Sequence, residues 1–169
     1  WKENPAKLRQ KDVEARWTQK NGENHYGYKN HISIDNQHKL IRHFEVTSAS
    51  VHDRQVFDCL IDEENTSRSV WADSAYRSRS TEAWLEEEGY RSHVHTKGQA
   101  GKPLSEAQQR ANKKRSSVRV RVEHVFASPK QMAGDFVRTI GHARARLKLG
   151  LINMAYNMKR WSYLEEAAA

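Results

Sequence analysis

Cysteine, long apolar runs and, over one extended stretch, acidic residues are what this 169-residue sequence has little of. Its one cysteine, Cys59, rules out an internal disulfide and any cysteine-rich metal cluster, and reads as a buried, inert thiol. No run approaches the roughly 18 apolar residues that a membrane span needs, and no cationic start leads into an apolar signal segment. A soluble cytoplasmic protein without a membrane partner is therefore expected. Internal repeats and low-complexity tracts are also missing. With 37% apolar and 30% charged residues the core should be modest, and the length suits one domain. The chain opens on Trp1 rather than Met, so an upstream segment is expected.

The shortage of acid is local. Between Glu106 and Lys148 eleven Lys or Arg face three acidic residues, whereas the rest of the chain balances at eighteen of each, so this region carries the whole net charge of +8. A concentrated cationic region is the footprint of a polyanionic partner. A run such as Lys113-Lys114-Arg115 also suits a solvated helix face, and charge alone leaves both readings open.

Residues 1–25, rich in Lys, Glu, Asn, Gln and Arg without periodicity, read as a mobile approach segment. The domain proper is expected over 26–164, with 165–169 as a tail. Alternation from Tyr28 to Asp35 and again from Leu40 to Thr47, around Asn36-Gln37-His38, predicts a hairpin. A helix is predicted from Arg54 to Asp62 with Asp53 as its N-cap. Ser69 to Asp73 should be a strand, Ser80 or Thr81 should cap a helix ending at Gly89, and Tyr90 to His95 should return as a strand. After a loop from Lys97 to Pro103, helix resumes at Ser105 with Val118, Val122 and Phe126 as its apolar stripe. A last helix from Ala143 to Tyr163 should pack through Leu147, Leu151, Met154, Met158 and Trp161, with Gly150 costing about 1 kcal/mol relative to Ala. Hairpin strands followed by strand-helix alternation predict an α/β fold, a mixed sheet with flanking helices.

Two carboxylates stand out. Asp73 follows the apolar run Val70-Trp71-Ala72, where a buried carboxylate needs water or a cation; a turn or capping aspartate is the plainer reading. Glu123 lies four residues after Arg119 and seven before Lys130, all on one helical face; an exposed salt bridge is the plainer reading there. Carboxylates of this kind hold Mg²⁺ against a phosphodiester in polynucleotidyl transferases. His31, His38, His43, His52, His93 and His95 lack zinc-motif spacing and read as surface or phosphate-contacting groups. Trp17, Tyr26 and Tyr28 read as sheet and core aromatics, with base stacking as the alternative.

From Asp12 to Trp161 the sequence resembles the catalytic domain of bacterial insertion-sequence transposases of the DDE type, and particularly the insertion-sequence-five group. The matching stretches are Ala15-Arg16-Trp17-Thr18, Tyr26-Gly27-Tyr28-Lys29-Asn30-His31, Val51-His52-Asp53 and Ala72-Asp73-Ser74-Ala75-Tyr76. Further on come Arg119 to Phe126 with Lys130, and Gly150-Leu151-Ile152-Asn153 with Tyr156-Asn157. The resemblance implies a ribonuclease-H-like fold and a nucleoid-associated enzyme that cuts transposon ends and joins them to target DNA. It places the second catalytic Asp on Asp73 and the catalytic Glu on Glu123, both as ligands of two Mg²⁺ ions, with Mn²⁺ as a substitute. It also implies a homodimer in the active complex. Phosphate contacts fall on Arg119 and Lys130, to which the basic region adds Arg121, His124, Lys113, Lys114 and Arg115. The family's first catalytic Asp falls ahead of Trp1, so the fragment alone is expected to be inactive. Asp53 is the nearest substitute, and Pro129 should kink the helix before Lys130. Ser116 stands where related branches carry Tyr. A DNA-binding remnant without a complete metal site, and a nuclease of the same fold without strand transfer, are the alternatives.

Overall fold

The alternation read at Tyr28 to Asp35 is the second half of a twelve-residue strand around which the structure is organised. The computed structural model describes residues 3–20, 22–98, 101–133 and 138–169, with the side chains of 129–133 outside the described set. After a short helix α1 (Pro5–Leu8), strands β1 (Arg16–Lys20), β2 (Glu23–Ile34) and β3 (Ile41–Ser48) form an antiparallel sheet in the order β1-β2-β3. The first half of β2 pairs with β1, Trp17 opposite Tyr26, and the second half pairs with β3, Ile32 opposite Phe44. The hairpin expected around residues 36–38 is present. Its turn closes through hydrogen bonds from Asp35 N to Leu40 O at 2.8 Å and from Lys39 N to Asp35 O at 2.9 Å. Residues 16–25 thus correct the expectation of an unpatterned approach: a ribbon hydrogen-bonded through its backbone needs no apolar alternation.

The predicted Arg54–Asp62 helix is instead two short 3-10 turns, Asp53–Val56 and Asp58–Leu60, and His52 rather than Asp53 supplies the cap. Beyond them β4 (Ser69–Val70) pairs in parallel with β5 (Arg91–Ser92). Hydrogen bonds from His93 N to Val70 O at 2.8 Å and from His95 N to Ala72 O at 3.2 Å continue the contact past the strand ends. Helix α2 (Arg79–Glu87) joins the two strands; Ser78 caps it, accepting from Thr81 N at 2.9 Å, and Gly89 leaves it at φ +72°. Among the described residues there are thus two sheets, not the single mixed sheet expected.

Helix α3 (Glu106–Ala133) opens on a capping box, in which Ser105 Oγ accepts from Gln108 N and Gln108 Oε1 accepts from Ser105 N. Its 28 residues span roughly 42 Å at 1.5 Å per residue, and the helical backbone continues through position 129. Among its described side chains Val125, not the exposed Phe126, is the fully buried one. The last helix, α4 (His142–Ala168), takes in most of the expected tail.

The face that α4 turns to the protein is not the predicted one. Leu147, Leu151, Met154, Met158 and Trp161 are all more than half exposed, while Ala145, Asn153 and Tyr156 are buried. Docking is polar. Asn157 donates to Ile41 O and accepts from Ile41 N, both at 2.8 Å, as a neighbouring strand would. Asn153 exchanges hydrogen bonds with Asn30, and the Tyr156 hydroxyl donates to Lys39 O at 2.8 Å. Gly150 is explained by close approach, since a Cβ there would lie 3.0 Å from the Phe44 ring.

Two apolar cores result. Phe57, Leu85, Tyr90 and Val94 form one, around β4, β5 and α2. Ile41, Val125 and Tyr156 form the other, between the antiparallel sheet, α3 and α4. Helix α3 serves both. Its first half is held to the segment after β5 by Asn112, which accepts from Thr96 N at 3.0 Å and donates to Thr96 O at 2.8 Å. Its second half carries Val125 into the other core. Cys59 is exposed, against the expectation of a buried thiol, because it falls on a solvent-facing turn. No helix is long and apolar enough to cross a membrane among the described residues.

Candidate active site

Asp73 and Glu123 meet on one guanidinium. Asp73 stands at the end of the extended run that follows β4 and accepts from Ser74 N at the start of a 3-10 turn, Ser74–Tyr76, so the plain capping role is real. Its other carboxylate oxygen accepts from Arg119 Nη1 at 2.6 Å. Arg119 Nη2 donates to Glu123 Oε1 at 3.1 Å, one helical turn along α3. The expected salt bridge is therefore present, and the same arginine reaches a partner 46 positions away in the chain. Its Nε is buried and lacks a hydrogen-bond partner among the described residues.

Burial pushes the Asp73 carboxyl upward. The Arg119 guanidinium and the hydrogen bonds from Ser74 outweigh that and hold it below the ordinary value of 3.8, so it is ionised at neutral pH. His95 lies beside the pair, with its Nε2 3.4 Å from Ser116 Oγ. Burial and then the Arg119 charge depress its pKa below 6.5 despite the neighbouring Asp73, so its imidazole is neutral at pH 7. Sequence reasoning read His95 as a surface or phosphate-contacting group and did not place it beside Asp73. Pairing the runs Ser69–Asp73 and Tyr90–His95 in parallel would have placed it beside Ala72.

Asp73, Arg119 and Glu123 line a cleft of about 1870 Å³ between the two sheets, which also touches Tyr26, Lys29, His31, Asp53 and Arg121. Asp53 faces this cleft but is engaged by Lys29 Nζ at 3.1 Å. His31, expected at the surface, is buried with Nε2 2.9 Å from Thr47 Oγ1.

Of the residues assigned to DNA, Lys113, Lys114 and His124 are exposed on α3. Arg115 and Arg121 have structural partners: Arg115 donates to Val94 O at 2.9 Å, and Arg121 donates to Asn36 O and Oδ1, both at 2.7 Å. The Lys130 side chain lies outside the described residues.

Hard divalent cations take oxygen donors, and a carboxylate pair reaching one positive centre offers two. No group of three His, Cys, Asp or Glu placed to hold a metal occurs among the described residues. Asp73 and Glu123 fit part of a divalent-ion site and do not complete one by themselves.

The sequence from residue 4 to 158 matches the family described as "Transposase DDE domain". It is 30% identical over 145 residues to a protein of Neisseria meningitidis serogroup B named "Transposase for insertion sequence element IS1106". That alignment covers 86% of this chain and 47% of the relative, so the chain spans about half the length of the curated relative it matches. No solved structure matches. A family match from residue 4 to 158, together with a relative 30% identical over 86% of the chain, places this chain among the DDE-type insertion-sequence transposases.

Proposed function

We propose that this chain is the part of a transposase of the insertion-sequence-five group that carries two carboxylates of a metal-dependent DNA-cutting site. The reading includes cleavage of transposon ends, strand transfer into target DNA, a ribonuclease-H-like arrangement of the two sheets and a homodimeric active complex. One observation carries it: Asp73 and Glu123, on different elements and beside different cores, converge on Arg119 in a cleft that also presents Lys29 and Arg121.

Asp73 and Glu123 would be the ligands of Mg²⁺ or Mn²⁺, the remaining ligand coming from the aspartate that the resemblance places ahead of Trp1. A bound divalent ion supplies Lewis-acid stabilisation of phosphodiester oxygens. The chain's own residues have separate tasks. Ser74 N orients the Asp73 carboxylate, and Arg119 keeps it ionised. Neutral His95 adds no positive charge beside the pair. Lys113 and Lys114 on the exposed side of α3 meet backbone phosphates, which positions DNA without reading its sequence. The exposed apolar stripe of α4 supports the dimer as the surface that a second copy covers.

The test is nicking of supercoiled DNA by the protein expressed in its complete reading frame. Asp73→Asn and Glu123→Gln should each abolish Mg²⁺-dependent nicking while DNA affinity holds or rises, because an anion near phosphate has been removed. Full activity in either variant refutes the assignment.

A further inference from the structure

The β1–β2 hairpin exposes two aromatic rings that the fold does not use. Trp17 and Tyr26 are direct cross-strand partners with ring centroids 5.1 Å apart and planes tilted by 48°. They are 66% and 50% exposed, although sequence alone assigned them to packing. An aromatic side chain can remove 150–250 Å² from water, so leaving two side by side in solvent forgoes much of their value to stability. Tyr26 is pinned by its hydroxyl, which donates to Asp12 O. Tyr28, two residues on, donates to the Asp12 carboxylate at 2.8 Å. Trp17 is therefore held against a fixed neighbour.

The surroundings of the pair favour nucleic acid. Two-residue alternation puts Gln19 and Asn24, themselves paired across the hairpin, on the same face as Trp17 and Tyr26. Their amides can both donate to and accept from base edges. Arg16 and Lys20 lie on the other face of the ribbon, and Lys29 follows in β2, against Glu23 within the ribbon; Asp12 and Glu14 just ahead of it accept from Gly141 N and His142 N. Tyr26 and Gln19, with Lys20 and His25 of the opposite face, line the same cleft as Asp73 and Glu123, and Trp17 stands outside that lining, against the Tyr26 ring. A strand whose phosphodiester lies at the carboxylates thus has the hairpin within the same channel.

We infer that the Trp17–Tyr26 pair is a stacking platform for unpaired bases of the DNA strand bound in the cleft. The inference rests on the DNA reading above and adds to it a preference for frayed or single-stranded DNA that phosphate contacts alone do not give. Every base has a π-face, so the platform tolerates any sequence.

The test uses the 169-residue chain with two oligonucleotides of equal length, one single-stranded with 2-aminopurine at successive positions, the other duplex. Wild type should quench 2-aminopurine on binding. Trp17→Ala should lose quenching and bind the single strand about tenfold more weakly, within the range found when a stacked aromatic is truncated, while its duplex affinity changes less than about twofold. Trp17→Phe, which keeps a ring, should recover most of the single-strand affinity, and an unchanged thermal melt guards against misfolding. If wild type binds both forms and Trp17→Ala matches it on the single strand, stacking is overturned and the DNA reading survives. Equal losses on both forms overturn it too, because phosphate contacts do not separate them. Failure of wild type to bind either form removes the DNA reading together with this one.

Discussion

Replacing Arg119 by Met keeps most of the aliphatic stem and removes the charge that joins Asp73 to Glu123. The Arg119–Glu123 contact is an i,i+4 pair whose glutamate is more than half exposed, worth about 0.3–0.5 kcal/mol. The Arg119–Asp73 contact is shorter, with the arginine 28% and the aspartate 48% exposed; discounted for solvent it contributes about 1 kcal/mol. The loss should be about 1–1.5 kcal/mol at pH 7, a fall in Tm of about 3–5 °C for a chain of this size. The dependence on pH identifies the cause. Asp73 titrates below 3.8 in the folded chain, so the stability it draws from Arg119 is present above its unfolded value and is lost as pH falls through the lower folded one. The difference in Tm between wild type and Arg119→Met should be full at pH 7 and shrink as pH falls below about 4. Acid sensitivity remains in both proteins, because Asp12 and Asp62 are also held low. Calorimetry from pH 7 down to the lowest pH at which both proteins fold, with Asp73→Asn completing a double-mutant cycle, gives the answer. A gap that stays constant with pH, or a coupling energy near zero, would show that the guanidinium does not hold Asp73.

Two further outcomes follow from surfaces already described. Lys113→Glu with Lys114→Glu should flatten the dependence of DNA affinity on salt by nearly two units of log–log slope if each lysine meets a phosphate; an unchanged slope in a fluorescence titration makes the run a solvated surface. Met154→Lys with Met158→Lys should abolish self-association in sedimentation and leave the melting temperature almost unchanged, because both methionines are more than half exposed; a dimer that persists in the variant rules out the α4 stripe as its interface.

The sequence was most legible where the pattern is local. The strands around residues 36–38, the extent of α2 and the start of α4 follow from alternation, capping and glycine placement. The Trp17 ribbon escaped because Arg16, Thr18 and Lys20 give no apolar contrast to Trp17 and Gln19. For α4 the start was readable, and the end and the buried face were not. Leu147, Leu151, Met154, Met158 and Trp161 have core spacing, yet the helix docks through Asn153, Tyr156 and Asn157. Hydropathy does not register polar groups that satisfy another element's backbone. The same three residues belong to the stretch that carried the family resemblance, and their work in the structure is docking. At the site, the Arg119–Glu123 spacing was visible in one helix. The reach of Arg119 to Asp73 was not, because it depends on how α3 crosses a second core.

That crossing separates two properties often treated as one. Asp73 hangs from the core built on Phe57, Leu85, Tyr90 and Val94, whereas Glu123 is carried two positions from Val125, which belongs to the other. Their alignment is a matter of registration between two packed bodies. It is set along α3 by Asn112 and Arg115 at one end and by Arg121 and Val125 at the other. A sequence change can deepen either core and raise resistance to heat without improving the site. A change at Asn112, remote from the carboxylates, can spoil their spacing with both cores intact. In this chain thermal stability is therefore a poor proxy for a well-set carboxylate pair.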